Sequence, residues 1–206
     1  MPLPSAMPDT APERTPMSLK KLCLTSMLYT LVTAVILGLI YPTFITLVAH
    51  GIFPKQADGQ LIARNGQTVG SRLIGQPFTG PGFFHSRPSA AGAGYDASSS
   101  SGSNLGPASK ALQDRVAASV KAEQATASTE PVPIDLVTAS GSGLDPDISV
   151  AAALYQVDRV ARERKVAPAA VAELVKRDTT PRQFGLLGEP RVNVLALNLD
   201  LAHLPH

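Results

Sequence analysis

The sequence predicts an α+β protein in which one N-terminal transmembrane helix is followed by a single extracytoplasmic α+β domain. Three observations lead to this prediction: an apolar run without charge, a series of short apolar stretches separated by Gly, Asn and Pro, and later stretches with helical spacing of apolar residues. With 206 residues and 44% hydrophobic residues, the chain has room for an anchor and one domain with a core. The predicted divisions are a disordered cytoplasmic tail (1–21), a transmembrane anchor helix (22–53) and an extracytoplasmic α+β domain (54–206).

The tail carries five prolines and shows no apolar periodicity, a composition that cannot bury enough surface to fold. The anchor follows it. No Asp, Glu, Lys or Arg occurs between Lys21 and Lys55, and residues 28–49 read LYTLVTAVILGLIYPTFITLVA. At 1.5 Å per residue this centre spans about 33 Å, enough for a hydrocarbon core of about 30 Å. A signal peptide is the alternative, but its apolar region is only roughly 7 to 15 residues long. An uncleaved helix fits better.

Orientation depends on a weak excess of basic residues before the helix, together with the ability of a long C-terminal domain to translocate whatever its charges. We therefore expect the N-terminus inside and the domain outside. Small side chains also recur at every fourth position of the anchor, which favours close packing against a partner membrane helix. Such residues are common in membrane helices in any case. The predicted packing face consists of Ser26, Thr30, Ala34, Gly38, Pro42 and Thr46.

After the anchor, short apolar stretches predict strands at 61–63, 68–74 and 83–84. The Ser- and Gly-rich stretch 89–104 has no apolar periodicity and predicts an exposed loop. Residues 124–131 are interpreted as a linker-like turn.

Helical spacing predicts further elements in the C-terminal half: helices at 109–122, 150–165 and 168–176, the second capped by Ser149, and a closing strand at 192–201. Within the second helix, Gln156 shares a face with apolar residues and is interpreted as a partly buried side chain that satisfies backbone groups. The basic residues beside it are interpreted as a solvated face. They are Arg159, Arg162, Arg164 and Lys165.

The stretch VTASGSGLDPDIS allows four kinds of chemistry. Ser140 or Ser142 would need a base, and only His85 is a plausible imidazole partner; the G-x-S-x-G order is also missing. A phosphate cradle would lack the G-K-[ST] ending, and a calcium loop would need more carboxylates than Asp145 and Asp147. The favoured interpretation is a connection of successive turns ending in a helix cap. With Asp135, these aspartates could also raise the local cation concentration.

Composition excludes other classes. The 18 basic and 16 acidic residues form no stripe of one sign, and there is no Trp, so nucleic acid is not expected as a partner. The single cysteine cannot form an internal disulfide. We expect no catalytic group and no metal site in this chain.

Several motifs together carry a resemblance to a known family. In chain order they are GLIYP, IFPKQADGQLI, GQPF, FFHSRPSAAG, GSNLGP, DLVTASGSGLDPDIS with AAALYQVDRVARER, and GEPRVNVLALNLDL. The chain resembles the C subunit of the Kdp potassium-transporting P-type ATPase. It departs from the family pattern at Val150, where proline is frequent, and in its first sixteen residues.

The resemblance implies a non-catalytic accessory subunit of a high-affinity, ATP-driven potassium uptake pump in the bacterial inner membrane. Its implied partners are a channel-like potassium-binding subunit, an ATP-hydrolysing P-type subunit and the lipid bilayer, and it is needed for assembly or stability of the complex. ATP, Mg and K would belong to the complex, with no cofactor bound by this chain alone. The loop residues implied as partner-facing or fold-defining are Gln76, Phe84, Arg87, Ser103, Asn104, Ser140, Ser142 and Asp145.

The resemblance also ties a glutamine to a higher ATP affinity of the hydrolysing subunit, and Gln156 is its counterpart here. Since a domain outside the membrane cannot touch ATP inside, this effect would have to be allosteric. Two alternatives remain open: a membrane-tethered envelope hydrolase using a Ser/His pair, and a purely structural envelope protein.

Overall fold

The computed structural model describes residues 18–126 and 130–204. The chain divides into two compact units, Met1–Ala57 and Asp58–His206. Most of the predicted tail, and residues 127–129 of the predicted linker-like turn, lie outside the described residues.

The first unit contains the apolar helix. Its parts are α1 (Leu19–Val35), a π-helical turn (Ile36–Ile40), α2 (Tyr41–Ile52) and the short α3 (Pro54–Ala57). Ser18 caps the start, its side chain accepting a hydrogen bond from the Lys21 N–H. The continuous helix Leu19–Ile52 is long and apolar enough to cross a membrane.

The π-helical turn lies just before Pro42. The Tyr41 N–H donates to the Ile36 carbonyl, five residues back, so one extra residue is accommodated in the winding. Pro42 has no N–H and would press on the carbonyl of Gly38 in a regular α-helix. The disturbance expected at Pro42 is therefore a local change in winding within an unbroken helix.

The second unit is an α+β domain, which confirms the predicted fold class. Its strands form a two-stranded antiparallel sheet, β1-β2, and a three-stranded antiparallel sheet in the order β3-β5-β4. In chain order the elements are β1 (Leu61–Arg64), β2 (Gln67–Ser71), α4 (Lys110–Thr126), a 3₁₀ helix (Ile134–Leu136), β3 (Asp147–Ser149), α5 (Val150–Tyr155), α6 (Val157–Arg164), α7 (Pro168–Arg177), β4 (Thr179–Thr180), β5 (Arg191–Asn193) and α8 (Val194–Leu201).

Several predicted elements are confirmed. β1 and β2 occupy the first two predicted strand positions, and α4 and α7 the predicted helices at 109–122 and 168–176. Pro168 opens α7, where a missing N–H removes no helical hydrogen bond. Ser149 caps α5, with its Oγ 3.1 Å from the Ala152 N that donates to it.

The predicted closing strand at 192–201 is wrong beyond its first residues. β5 ends at Asn193, whose side-chain oxygen accepts from the Ala196 N–H and starts helix α8. A continuous apolar run does not distinguish a buried strand from a buried helix, and the spacing of the residues that are buried here is helical. These residues are Val194, Leu195, Leu197, Asn198 and Leu201.

The predicted helix at 150–165 is divided in two at Gln156. The Gln156 side-chain Nε2 donates to the Ala152 carbonyl at 3.1 Å. In a regular helix this carbonyl accepts from the backbone N–H of residue 156. The Gln156 N–H bonds instead to the Ala153 carbonyl, 3.1 Å away, which tightens the turn. Helices α5 and α6 therefore meet at a buried glutamine.

Two further predictions fail because tertiary contacts override local pattern. Residues 83–84 form no strand, since the Phe83 carbonyl accepts from Arg159 of α6 and the Phe84 backbone pairs with the Asn198 side chain of α8 rather than with another strand. The stretch 89–104 is a loop but not an exposed one throughout: Ala91 is fully buried and Ser89 bonds to distant backbone.

The core of the second unit lies between helices α5 to α8 and the three-stranded sheet. Val160, Val171, Val175, Val192 and Leu197 are fully buried there. Among the described residues, Phe84, which comes from a loop, is the largest fully buried side chain, and it belongs to this cluster. Packing of the loop segment 80–86 is therefore part of the core itself.

Candidate functional site

Two side-chain amides hold the backbone of the segment that carries Phe84. The Asn198 side chain accepts from the Phe84 N–H at 2.8 Å and donates to the Phe84 carbonyl at 2.9 Å. The Gln156 side chain does the same for His85, at 2.7 Å and 3.3 Å. We call these two residues the amide clamp. Each supplies the donor and acceptor that a neighbouring strand would otherwise provide, so the buried backbone is satisfied without a sheet.

Arginine extends this hold along the same segment. Arg159 is buried, and its guanidinium donates to the carbonyls of Pro81 and Phe83 and to the Gln156 side-chain oxygen. Arg164 donates to the Gly82 carbonyl at 2.7 Å and lies over the Phe83 ring. The interpretation of these basic residues as a solvated face is thus wrong for Arg159. The interpretation of Gln156 as a satisfier of backbone groups is confirmed, with its amide fully buried.

The 139–145 loop, ASGSGLD, is a second fixed element. The Ser89 hydroxyl donates to the Gly143 carbonyl at 2.6 Å, and the Ser101 N–H donates to the Ser142 carbonyl at 3.0 Å. On its other side the Gly75 N–H donates to the Leu144 carbonyl at 2.8 Å. Three separate segments of the chain are therefore hydrogen-bonded to this loop.

The end of the 139–145 loop follows the predicted series of turns. Asp145 accepts from the Asp147 N–H at 3.1 Å, and Ser149 then caps α5. Arg87 fixes both ends of the loop, since it donates to the Asp145 carboxylate at 3.0 Å and to the Ala139 carbonyl at 3.4 Å. The favoured interpretation of VTASGSGLDPDIS as turns ending in a cap is confirmed.

The aspartates of this region are already engaged. Asp145 pairs with Arg87, and Asp147 pairs with Arg191 at 2.9 Å. Asp135 accepts from the Ser149 N–H at 2.7 Å. Within residues 18–126 and 130–204, no group of three or more His, Cys, Asp or Glu is placed to hold a metal ion.

His85 forms no hydrogen bond with Ser140 or Ser142, the serines predicted as its partners in a hydrolase. The His85 ring nitrogen Nε2 lies 3.1 Å from the Gly80 carbonyl, and because a carbonyl only accepts, this nitrogen carries the proton. Burial lowers the pKa of His85, and the positive charge of Arg159 lowers it further. The Ser142 hydroxyl instead accepts from the Leu144 N–H at 3.1 Å. The contacts of the two side chains lie in different loops.

The remaining predicted loop residues divide between fixed and exposed positions. Gln76 donates from its side chain to the Val69 carbonyl at 3.0 Å, and its own carbonyl accepts from the Ser86 hydroxyl. Ser140 is buried, whereas Asn104 is exposed with a left-handed φ of 52° and Ser103 beside it is half-buried. Of the eight predicted loop residues, Asn104 and Ser142 are the exposed ones.

The predicted packing face of the anchor is open along its whole length. No residue of α1 or α2 is buried, and a Cβ added at Gly38 would meet nothing within 4 Å. A shallow depression on α1 is lined by Ser26, Thr30 and Ala34 of this face, together with Cys23, Met27 and Leu31.

Sequence reasoning missed three features of the domain: Asn198, the buried role of Arg159, and the connection between β4 and β5. All ten residues from 181 to 190 are exposed, including Phe184, Leu186 and Leu187. A polar residue inside an apolar run was the available signal for Asn198. For the connection it was three apolar residues between Pro181 and Pro190.

The fold and this site define a membrane-anchored domain whose conspicuous polar side chains hold its own loops in place. Comparison with known proteins gives the family. Residues 23–203 match the sequence model of the KdpC family, which is described as "K+-transporting ATPase, c chain". The chain belongs to the KdpC family and is thus a subunit of a potassium-transporting ATPase complex.

Curated relatives agree over nearly their full length. A "Potassium-transporting ATPase KdpC subunit" of Acidobacterium capsulatum is 61% identical over 86% of this chain and 95% of its own. Proteins with the same name from Koribacter versatilis and Gemmatimonas aurantiaca are 57% and 55% identical, over 89% and 87% of this chain and 95% and 91% of their own.

The 139–145 loop generates a test at glycine. Gly143 has φ of +67°, and a Cβ there would lie 2.5 Å from the Ser101 oxygen and 2.7 Å from the Ala91 nitrogen. We expect Gly143→Ala to lower the free energy of unfolding by about 3 kcal/mol, since strain and a backbone clash add. Gly141→Ala is the matched control, because its Cβ would meet nothing within 4 Å. Thermal unfolding of the full chain in detergent, followed by circular dichroism, measures both; equal midpoints would contradict the role of this loop.

The amide clamp generates a second test. Gln156→Leu keeps the bulk but leaves the His85 N–H and carbonyl and one Arg159 donor without their partner. We expect a loss of about 3 kcal/mol or more, at roughly 1–3 kcal/mol for each unsatisfied buried group. Hydrogen exchange should also accelerate at residues 80–86. Gln124→Leu, on the exposed side of α4, is the control; unchanged exchange at His85 in the Gln156 variant would show that the clamp is not needed.

Proposed function

We propose that the chain is a non-catalytic accessory subunit of a high-affinity, ATP-driven potassium uptake pump and that it is needed for assembly and stability of the complex. The observation that supports this proposal is a contrast between the polar residues of the domain and the small-residue face of the anchor helix. The polar residues that suggest chemistry are used within the domain, while the small-residue face of the anchor is left open. Membership in the KdpC family supplies the kind of complex.

The proposed partners are a channel-like potassium-binding subunit and an ATP-hydrolysing P-type subunit. The anchor would pack on a membrane helix of a partner through its small-residue face, because apolar burial does not drive helices together in lipid and close backbone approach does. ATP, Mg and K would be bound by the complex, with none held by this chain alone. The arrangement of the domain's aspartates supports this, since Asp145 and Asp147 already face arginines.

The proposed location is the bacterial inner membrane, with the N-terminus cytoplasmic and the domain periplasmic. The helix Leu19–Ile52 has the length for one span, and the weak basic excess before it favours this orientation. In that orientation Gln156 would be separated from cytoplasmic ATP by the membrane. We propose that any effect of Gln156 on ATP affinity passes through the clamped 80–86 segment and the assembled subunits, because its amide has no accessible surface.

The alternative, a tethered hydrolase using Ser142 and His85, is not supported by the geometry. Their hydrogen bonds lead to Leu144 and to Gly80, in separate loops. The two proposals differ in whether the chain assembles with other ATPase subunits, and this can be tested by co-purification.

We expect the tagged full chain, purified in mild detergent from cells starved of potassium, to recover a P-type ATPase subunit and a channel-like subunit with potassium-stimulated ATPase activity. Gly38→Leu should reduce this recovery at least fivefold, because the added side chain blocks close approach of a partner helix at a position where a Cβ meets nothing within 4 Å in this chain. Ile36→Phe adds bulk two positions away on another face and serves as the control. Recovery of the chain alone from wild-type cells would contradict the proposed function.

Orientation is tested by labelling. The chain has one cysteine, Cys23, so a Cys23→Ser background allows a single reporter at the exposed Lys121 of α4. We expect Lys121→Cys to react with a membrane-impermeant maleimide in intact spheroplasts, and wild-type Cys23 to remain unlabelled. Reaction of the Lys121 reporter only after lysis would place the domain on the cytoplasmic side.

A further inference from the structure

The connection between β4 and β5 is a hairpin with an apolar end. Phe184, Leu186 and Leu187 are 93%, 80% and 60% exposed, and we call these three residues the hairpin tip. They are the most exposed group of large apolar side chains that the structure describes close together in the domain. An apolar cluster of this kind on a soluble surface marks a contact with another molecule.

The hairpin holds its shape before any contact is made. Its stem is the antiparallel pair β4-β5, in the register Thr180↔Arg191. Nearer the end, Gln183 and Leu187 exchange two backbone hydrogen bonds of 2.9 Å, and Arg182 pairs with Glu189 at 2.6 Å. A surface ordered in advance loses little conformational freedom when it binds.

Backbone conformation at the tip is unusual. Phe184 has φ of 53°, a left-handed value that is uncommon for a bulky residue, and Gly185 follows at 75°. This conformation presents the aromatic ring to solvent instead of folding it back on the stem. Strain kept at a position without internal contacts agrees with a role in binding.

The charged residues near the hairpin tip favour a protein partner over an anionic lipid surface. A hairpin that dips into an anionic lipid surface has unpaired basic residues beside its apolar end. Here Arg182 is paired with Glu189, and Arg191 at the base is paired with Asp147 at 2.9 Å. An apolar, aromatic centre with neutralised surroundings is instead typical of the centre of a protein–protein interface.

We infer that the hairpin tip inserts into an apolar pocket on another subunit of the same ATPase, on the side of the membrane where the domain lies. This rests on the proposed function. Three side chains are too few for a whole interface, so the tip acts as a local hot spot that adds to the contacts of the anchor helix. The pocket should be lined by apolar side chains and should accept a phenyl ring.

The first experiment uses the assembled complex. Full-length chain with Phe184→Asp and Leu186→Asp is purified in mild detergent beside wild type, and the amounts of the other ATPase subunits retained after extended washing are compared. We expect retention to fall at least tenfold. Ile134→Asp, at an apolar position that is 70% exposed elsewhere in the domain, is the matched control and should retain the subunits as wild type does.

The controls distinguish a failure of this inference from a failure of the proposed function on which it rests. If wild type itself retains no other subunit, the proposed function fails. If wild type and the hairpin variant retain the subunits equally, the function stands and the role of the hairpin is overturned. Circular dichroism should show the same unfolding midpoint for all variants, because the replaced side chains are exposed; Phe184→Ala, a smaller change at the same site, then gives a graded loss.

The lipid alternative is tested with the chain alone. The sequence contains no tryptophan, so Phe184→Trp provides a single intrinsic reporter in the full chain. After reconstitution in vesicles of phosphatidylcholine and phosphatidylglycerol at three to one, we expect emission typical of water-exposed indole and full quenching by acrylamide. Blue-shifted emission protected from acrylamide would overturn the inference and assign the tip to the bilayer or to a second copy.

Discussion

The structure of the domain depends on the hydrogen bonding of two side-chain amides to the backbone of residues 84 and 85. Both sheets are small, and the longest described strand has five residues, so strands alone leave much buried backbone without partners. Gln156, at the junction of α5 and α6, and Asn198, in α8, meet that need. Because Phe84 fills the core from this segment, the clamp and the hydrophobic core are stabilised together.

The same principle explains the 139–145 loop. Its carbonyls accept from Ser89, Ser101 and Gly75, which belong to three separate segments of the chain. A serine- and glycine-rich loop of this kind resembles a catalytic or phosphate-binding loop in composition, yet its polar atoms are used to join parts of the fold.

Among residues 18–126 and 130–204, the small-residue face of the anchor and the hairpin tip are two surfaces left exposed. They differ in physical character. The first relies on close backbone approach, which is effective inside a bilayer, while the second relies on removing apolar side chains from water, which is effective outside it. Under the proposed function, a subunit that used both surfaces in this way would contact its complex within the membrane and beside it.

The sequence by itself determined the anchor helix, the α+β class, the cap at Ser149, the start of α7 at Pro168 and the family, because each depends on local composition, spacing or ordered motifs. It also predicted that Gln156 satisfies backbone groups. Tertiary structure alone decided that Arg159 is buried, that 194–201 is a helix and that Asn198 clamps Phe84. The physical reason is that hydrogen-bond partners separated by more than seventy residues, such as His85 and Gln156, leave no periodic signal along the chain. Whether an apolar run is strand or helix, and whether a charged residue is exposed, is settled only when the partners have been brought together.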